Sequence, residues 1–441
     1  MTTKRRTVAM AVMSAEAAIA ARAHAHSEAG APARAKASNW HVQFALIALA
    51  AFLLYWSSAL VLHGRAGTTH FGADAHIYSK LAWGILDDRI TRFHPLTTAI
   101  AAVWMKVLSP LSPWVEPETL LKAMFAAAGA VGVWAALWAF AAVVPRRYVV
   151  LLGAIYATSL AVWYFSSIEE SKIISTTLAA LYIAVYLHLR TNWTLRGALL
   201  LTAILLFACL NEVIAGFLVI IPAVDTLVQR GWDWRYGLWI FWHALTAPLT
   251  LLFLEGVVNG RLTGAGTTAE GASHISMLIF YVTRNEFDFE TIYGFLIKWL
   301  FFNMAAPSMD ATLYPGLPGS NAGDFDERLR DYFGSPLSIA LVALFGLVLA
   351  AAAWPRGREE GAPAVPAGIL PALAAFALLR GVFFLIFNPG ECLLFSSGTT
   401  LTHMLLIGIP FAASRFPARQ AILAASAMLL LIVNGSFIIG G

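Results

Sequence analysis

An all-α polytopic membrane protein is the fold class this sequence predicts, on three grounds. Hydrophobic residues fill 59% of its 441 positions and charged residues only 12%. The buried fraction of a chain rises slowly with size, so no soluble domain of this length could hide that much apolar surface. The apolar residues fall into runs of about 20, the length that crosses a bilayer as a helix. Lys and Arg gather in short clusters between the runs, so the net charge of +4 reports topology. A nucleic-acid partner is not expected, because it would need basic residues along one face.

Residues 1–39 are Ala-rich, carry Lys4, Arg5, Arg6, Arg22, Arg34 and Lys36, and lack the apolar mass to fold. They read as a disordered basic tail on the cytoplasmic side, followed by an uncleaved first span at 42–62 rather than a signal peptide. Basic clusters at Arg146/Arg147, Arg190/Arg196, Arg230/Arg235, Arg356/Arg358 and Arg415/Arg419 are assigned to the same side by the positive-inside rule. Each interval between clusters must then hold an even number of crossings. The 33 residues between Arg196 and Arg230 suit a hairpin of two short helices, 198–210 and 213–229, with Asn211-Glu212 at its apex. The other spans fall at 120–143, 148–165, 172–189, 237–256, 336–354, 367–387, 399–413 and 420–439, about eleven crossings in all.

This count leaves Pro95–Leu111 as a juxtamembrane or re-entrant helix, since a full crossing there would move Arg146 to the outside. Residues 63–119 form the first external loop, inside an N-terminal module of residues 40–256. Residues 257–335 form the large external loop, with an interfacial helix at Ile292–Met304, and 336–441 the C-terminal spans. Cys209 and Cys392 have no partner spacing and read as packing residues.

The polar chemistry collects on the outer face. In the stretch HFGADAHIYSKLAWGILDDRITRFHPLTT, residues 70–98, Ile77, Leu81, Ala82 and Ile85 recur at helical spacing and predict an amphipathic interfacial helix over Ala73–Leu86. Asp74 and Tyr78 share a face of it. The plain alternative is that Asp74 only caps this helix. Trp163-Tyr164-Phe165 reads as an interfacial aromatic belt, and Glu169-Glu170-Ser171-Lys172 follows directly, before another span. Charges at the mouth of a span are costly to desolvate and tend to be functional, against the alternative that Lys172 snorkels to water.

A span, an external loop with an early Asp, a His-Pro step into a short apolar helix, a long span ending in Arg-Arg, and an exposed acid–basic pair follow in order. The pieces are Asp74, His94-Pro95, Arg146-Arg147-Tyr148, and Tyr164-Phe165-Ser166 with Glu170-Ser171-Lys172. Over residues 42–235 this layout resembles the C-type (GT-C) integral-membrane glycosyltransferases, which use polyprenyl-phosphate sugars. The resemblance implies an inverting transfer from a polyprenyl-phosphate sugar donor to a hydroxyl of a glycan, lipid or protein acceptor. It implies Asp74 as the base that takes the acceptor proton and Glu170 beside it. Lys172, Arg92 and His94 would hold the departing phosphate. His76, Tyr78, Glu169, Asn211, Glu212 and Glu391 complete the substrate-binding candidates. The apex departs from the family pattern, with Asn211-Glu212 where a basic residue is common. Asp74, His76, Glu169 and Glu170 could ligate a divalent metal, but their spacing forms no metal motif and no cofactor is expected. The alternative from another class is a transporter or flippase of a lipid-linked glycan or other anionic lipid, with Glu212 as its coupling residue.

Overall fold

A computed structural model describes residues 40–62, 75–86, 91, 93–190, 193–231, 234–259, 279, 282–283, 288–306, 333–355, 367–389 and 395–440. Two compact units are distinguished, Met1–Leu49 and Ala50–Gly441. In the first, the described residues are helical, with the Trp40 and Phe44 rings edge to face at 5.5 Å. The second carries the remainder, and the described residues of the chain are helical without a strand.

The chain is an all-helical membrane protein. Among the described residues seven helices are long and apolar enough to cross a bilayer, or eight if one bent pair counts as a single span. They are Trp40–Leu62 (α1), Pro117–Val143 (α4), Lys172–Leu189 (α7), Tyr236–Gly256, Pro336–Ala353 (α13), Ile369–Phe387 (α14) and Arg419–Ile439. The last belongs to helix Arg419–Gly440 (α16), and Tyr236–Gly256 is made of Trp234–Ala244 (α10) and Thr246–Phe253 (α11). The bent pair is Arg146–Thr158 (α5) with Leu160–Ser166 (α6). Three of the expected crossings are shorter helices: Leu195–Asn211 (α8), Ile220–Arg230 (α9) with the 3-10 turn Val213–Val219 before it, and Thr400–Ala413 (α15). Ala75–Tyr78 (α2), Pro95–Leu108 (α3) and Phe289–Ile297 (α12) complete the set that matters below.

The α7 helix is the central element, with 78% of its apolar window buried against 17% for α13. Small residues place it there. In a bilayer, association depends on close packing of backbones because lipid is as apolar as Leu. At the α4 crossing a Cβ on Gly132 would sit 2.8 Å from Thr177 Oγ1, and Thr177 Oγ1 donates to Ala128 O at 2.7 Å. The peripheral helices instead present Leu199, Leu252 and Leu378 outward, as a lipid-facing surface requires.

The span expected at 148–165 is broken at Ser159 and bent by 59°. Backbone groups freed inside a bilayer must find partners within the protein, and here they do. Leu160 N and Ala161 N donate to Met304 O and Asn303 O, each at 3.0 Å, and Asn434 Nδ2 donates to Thr158 O at 2.7 Å. The bend turns Trp163, Tyr164 and Phe165 inward, so they are buried and do not form the expected interfacial belt. Trp163 Nε1 donates to Ser58 Oγ at 2.9 Å instead.

Two further expectations change. The helix over 73–86 is described from Ala75 and tightens to a 3-10 turn at Ser79–Trp83; Ile77, Leu81 and Ala82 are buried as expected, but Ile85 is exposed. The helix expected to lie on the interface at 292–304 starts exposed at Phe289 and ends buried at Trp299 and Phe302, where residues 303 and 304 serve the Ser159 break. Cys209 is buried in packing, and Cys392 lies outside the described residues, as do the tail and most of 257–335.

Candidate functional site

Asn211, the last residue of α8, is the hub of a buried polar cluster. His94 Nδ1 donates to its carbonyl at 2.6 Å, and Thr97 Oγ1 to its Oδ1 at 2.5 Å. Its Nδ2 donates to Ser171 O at 3.1 Å and Ser175 Oγ at 2.7 Å. These bonds tie the start of α3, the end of α8 and the start of α7 into one frame. The His-Pro step is what starts α3 there: Pro at the first helical position needs no N–H partner, and it leaves His94 outside the helix with its ring free to reach Asn211. The Tyr78 ring from α2 stands 6.2 Å from the His94 ring and 6.3 Å from Phe125.

The residue after the hub, Glu212, adopts an extended backbone that ends α8. Its carboxylate meets two cations. Lys172 Nζ lies 3.6 Å from Oε1, and Arg380 Nη2 lies 3.1 Å from Oε2. All three residues are at most 8% exposed. Lys172 Nζ also sits 4.5 Å over the Phe395 ring, and Arg380 Nη2 donates to Phe395 O at 3.4 Å. Lys172 therefore does not snorkel; it points into the protein. Gly398 makes room for the guanidinium, since a Cβ there would stand 2.9 Å from Nη2.

The neighbouring acids are buried too. Glu170 Oε1 accepts from Ser171 Oγ at 3.1 Å. Glu169 Oε1 lies 3.3 Å from Lys122 Nζ of α4. Burial pushes the Glu169 carboxyl above its ordinary range, and the attraction of Lys122 only partly offsets this.

A second cluster at the other end of α7 provides a contrast. Asp225 accepts from Tyr186 at 2.6 Å, from Arg190 at 2.9 and 3.0 Å, and from Gln229 at 2.5 Å. Its acceptors are fully used, which is what a structural brace needs. At Glu212 the demand is unmet: among the described residues neither Oε1 nor Arg380 Nε has a hydrogen-bond partner. Buried polar atoms left in this condition are costly and call for an explanation. Two desolvated cations around one carboxylate, at the positive end of α7, can hold an anion.

Of the sequence candidates, Tyr78, His94, Glu169, Glu170, Lys172, Asn211 and Glu212 gather around the start of α7 and the end of α8. Asp74, Arg92 and Glu391 lie outside the described residues, and so does the side chain of His76. Sequence reasoning missed Arg380, although a lone Arg inside the apolar run LLRGVFF is the signal by which intramembrane sites are found. It also missed Lys122, Thr97 and Phe395. Among the described residues no three His, Cys, Asp or Glu side chains are grouped to hold a metal ion. Compared with models of known protein families and with curated proteins, the chain matches none.

Proposed function

We propose that this chain is a GT-C-like membrane glycosyltransferase that moves a sugar from a polyprenyl-phosphate donor to a hydroxyl acceptor, with inversion, at the outer face of a bacterial inner membrane. The single observation that carries the reading is the pair of buried cations, Lys172 and Arg380, around one incompletely bonded carboxylate. A departing phosphate needs cationic donors held in a desolvated place, and this pair supplies them. Asp74 is the base that takes the acceptor proton and Glu170 orients the acceptor. His94 serves the phosphate beside Lys172 and fixes Asn211. An apolar cavity lined by Leu152, Phe301, Phe345, Met404, Phe411 and Leu430 suits a hydrocarbon tail. In this arrangement about eleven crossings put the N-terminus in the cytoplasm and the large loop in the periplasm.

The test is transfer in proteoliposomes from a polyprenyl-phosphate sugar labelled in the sugar. The wild-type protein passes label to an acceptor in a membrane extract. Lys172→Met loses about 2–4 kcal/mol of transition-state stabilisation and stays folded, because Arg380 still neutralises Glu212. A wild-type protein that moves no label overturns the reading.

The break at Ser159 favours a second reading, a flippase or transporter of an anionic lipid, since broken helices are what such proteins use. The same vesicles decide it: a labelled lipid would change leaflet with its sugar intact.

A further inference from the structure

The apolar cavity and a group of arginines occupy one end of the same helices, away from the Glu212 cluster. Side by side, α4 and α7 are joined by Lys122 and Glu169 at one end and by the rings of Trp138 and His188, stacked at 4.4 Å, toward the other. Directly after α4 ends at Val143, α5 starts at Arg146. Arg146 and Arg147 therefore stand at the end away from Lys172. Arg419, the first residue of α16, joins them, because the Arg147 and Arg419 guanidinium carbons lie 4.9 and 5.3 Å from the Tyr148 ring centre. Arg415 N donates to Pro355 O at 3.1 Å, which brings the ends of α15 and α13 together. The positive-inside rule assigns such an end to the cytoplasm.

Helical spacing links these arginines to the cavity. Arg419, Leu423, Ser426 and Leu430 fall at i, i+4, i+7 and i+11 of α16, and Tyr148, Leu152 and Ile155 at i, i+4 and i+7 of α5, so each set shares one helix face. Leu152, Ile155, Leu423, Ser426 and Leu430 all line the cavity. At 1.5 Å per residue the cavity lies roughly 6 to 16 Å below Arg419, the depth that an acyl chain fills in one leaflet of a bilayer whose hydrocarbon core is about 30 Å thick. Ser426 is the one polar residue of the described lining, and its Oγ is turned back to donate to Ile422 O at 2.8 Å. The lining thus offers hydrocarbon contacts and no polar recognition.

The charge above the cavity is of one sign. No Asp or Glu occurs in α5, α13, α15 or α16, or in the turn between the last two. Arg356, Arg358, Glu359 and Glu360, which follow α13, carry no net charge and lie outside the described residues. Trp354 at the end of α13 is exposed and meets Phe416 edge to face at 5.5 Å, an aromatic at headgroup level. Basic groups over an apolar cleft between spans suit an anionic headgroup with its tail below.

We propose that this end of the protein is a binding site for an anionic phospholipid of the adjoining leaflet, with one acyl chain in the cavity and the headgroup phosphate against Arg147 and Arg419. The occupant is a bilayer lipid, separate from the sugar donor at the opposite end of α7, so the proposal stands whether or not the chain transfers a sugar.

The test is lipid retention by the purified full chain in detergent, counted by native mass spectrometry, with dioleoyl phosphatidylglycerol and dioleoyl phosphatidylcholine as probes that share their tails. The wild-type protein retains phosphatidylglycerol about tenfold more strongly and melts at a higher temperature with it. Arg147→Gln and Arg419→Gln each reduce the preference by about fivefold. Arg196→Gln, which removes a charge from the same end but on α8, leaves it unchanged. Gly408→Leu, which fills the cavity, weakens retention of both lipids by about tenfold and keeps their ratio; should it fail to fold, Ser426→Leu replaces it. Equal retention of the two lipids by the wild-type protein overturns the proposal, as does an Arg196→Gln loss equal to that of Arg419→Gln. Wild-type retention in a folded cavity-filled variant removes the acyl chain from the cavity and overturns it too. So does one-for-one displacement of phosphatidylglycerol by undecaprenyl phosphate at equal concentration, which would give the cavity to the donor tail.

Discussion

Arg380 Nη2 and Glu212 Oε2 lie 3.1 Å apart although the two residues are 168 positions apart in the chain. This contact, with Lys172 on the other carboxylate oxygen, joins the middle of α14 to the apex between α8 and α9 and the start of α7. A buried pair of this kind need not add net stability, because desolvation offsets attraction, but breaking it exposes its full cost.

Arg380→Gln is therefore expected to destabilise the protein by about 3–5 kcal/mol, because Glu212 keeps only the longer contact to Lys172. Thermal unfolding in detergent measures it. A loss below about 1 kcal/mol would mean that water reaches the pair and that the site is not desolvated.

Glu169 gives a pH signature of definite sign. Its carboxyl is raised above the ordinary range by burial, so the folded state binds its proton more tightly than the unfolded state does. The folded protein then loses stability as pH rises from the ordinary carboxylate range through the folded value. Melting temperature followed against pH should fall more steeply in that window for the wild-type protein than for Glu169→Gln, which has no proton to lose. Parallel curves would place Glu169 in water.

Topology is checked by labelling. The structure gathers the basic segments: the Arg147 and Arg419 guanidinium carbons lie 4.9 and 5.3 Å from the Tyr148 ring centre, and Arg415 N donates to Pro355 O at 3.1 Å. The Arg190–Asp225 brace sits at the opposite end of α7 from Lys172 and Glu212. The positive-inside rule assigns these basic segments to one side of the membrane. A cysteine label in the 310–325 region is expected to react from outside intact cells and one beside Arg146 to be protected. The reverse at either position would break the assignment.

Much of this was legible because apolar run length and helix type are properties of a local window. Each run expected to cross is helical. His94, Lys172, Asn211 and Glu212 could be singled out because a polar residue bordering an apolar run is conspicuous. What was not legible depended on distant partners. The bend at Ser159 exists because Asn303, Met304 and Asn434 supply its hydrogen bonds, and nothing between Arg146 and Ser166 announces them. Trp163-Tyr164-Phe165 consequently reads as an interfacial aromatic belt when the bend has turned it inward. Arg380 is a different case: its charge was visible, but its partner lies far earlier in the chain, so the sequence pattern could show the anomaly without saying what it met.

Asp74 is the residue on which the proposed chemistry turns, and it lies outside the described residues. It precedes α2, whose Tyr78 ring lies 6.2 Å from the His94 ring beside the Asn211 hub. Asn and Asp are comparable helix caps, so Asp74→Asn should leave thermal stability nearly unchanged. Loss of the base should nevertheless slow sugar transfer by roughly 10²–10⁴-fold. A capping role gives the opposite pattern: Asp74→Asn is silent in both assays, and Asp74→Ala loses about 1 kcal/mol of stability. Transfer and unfolding measured on the two variants side by side separate these outcomes, and a fully active Asp74→Asn protein removes Asp74 as the base.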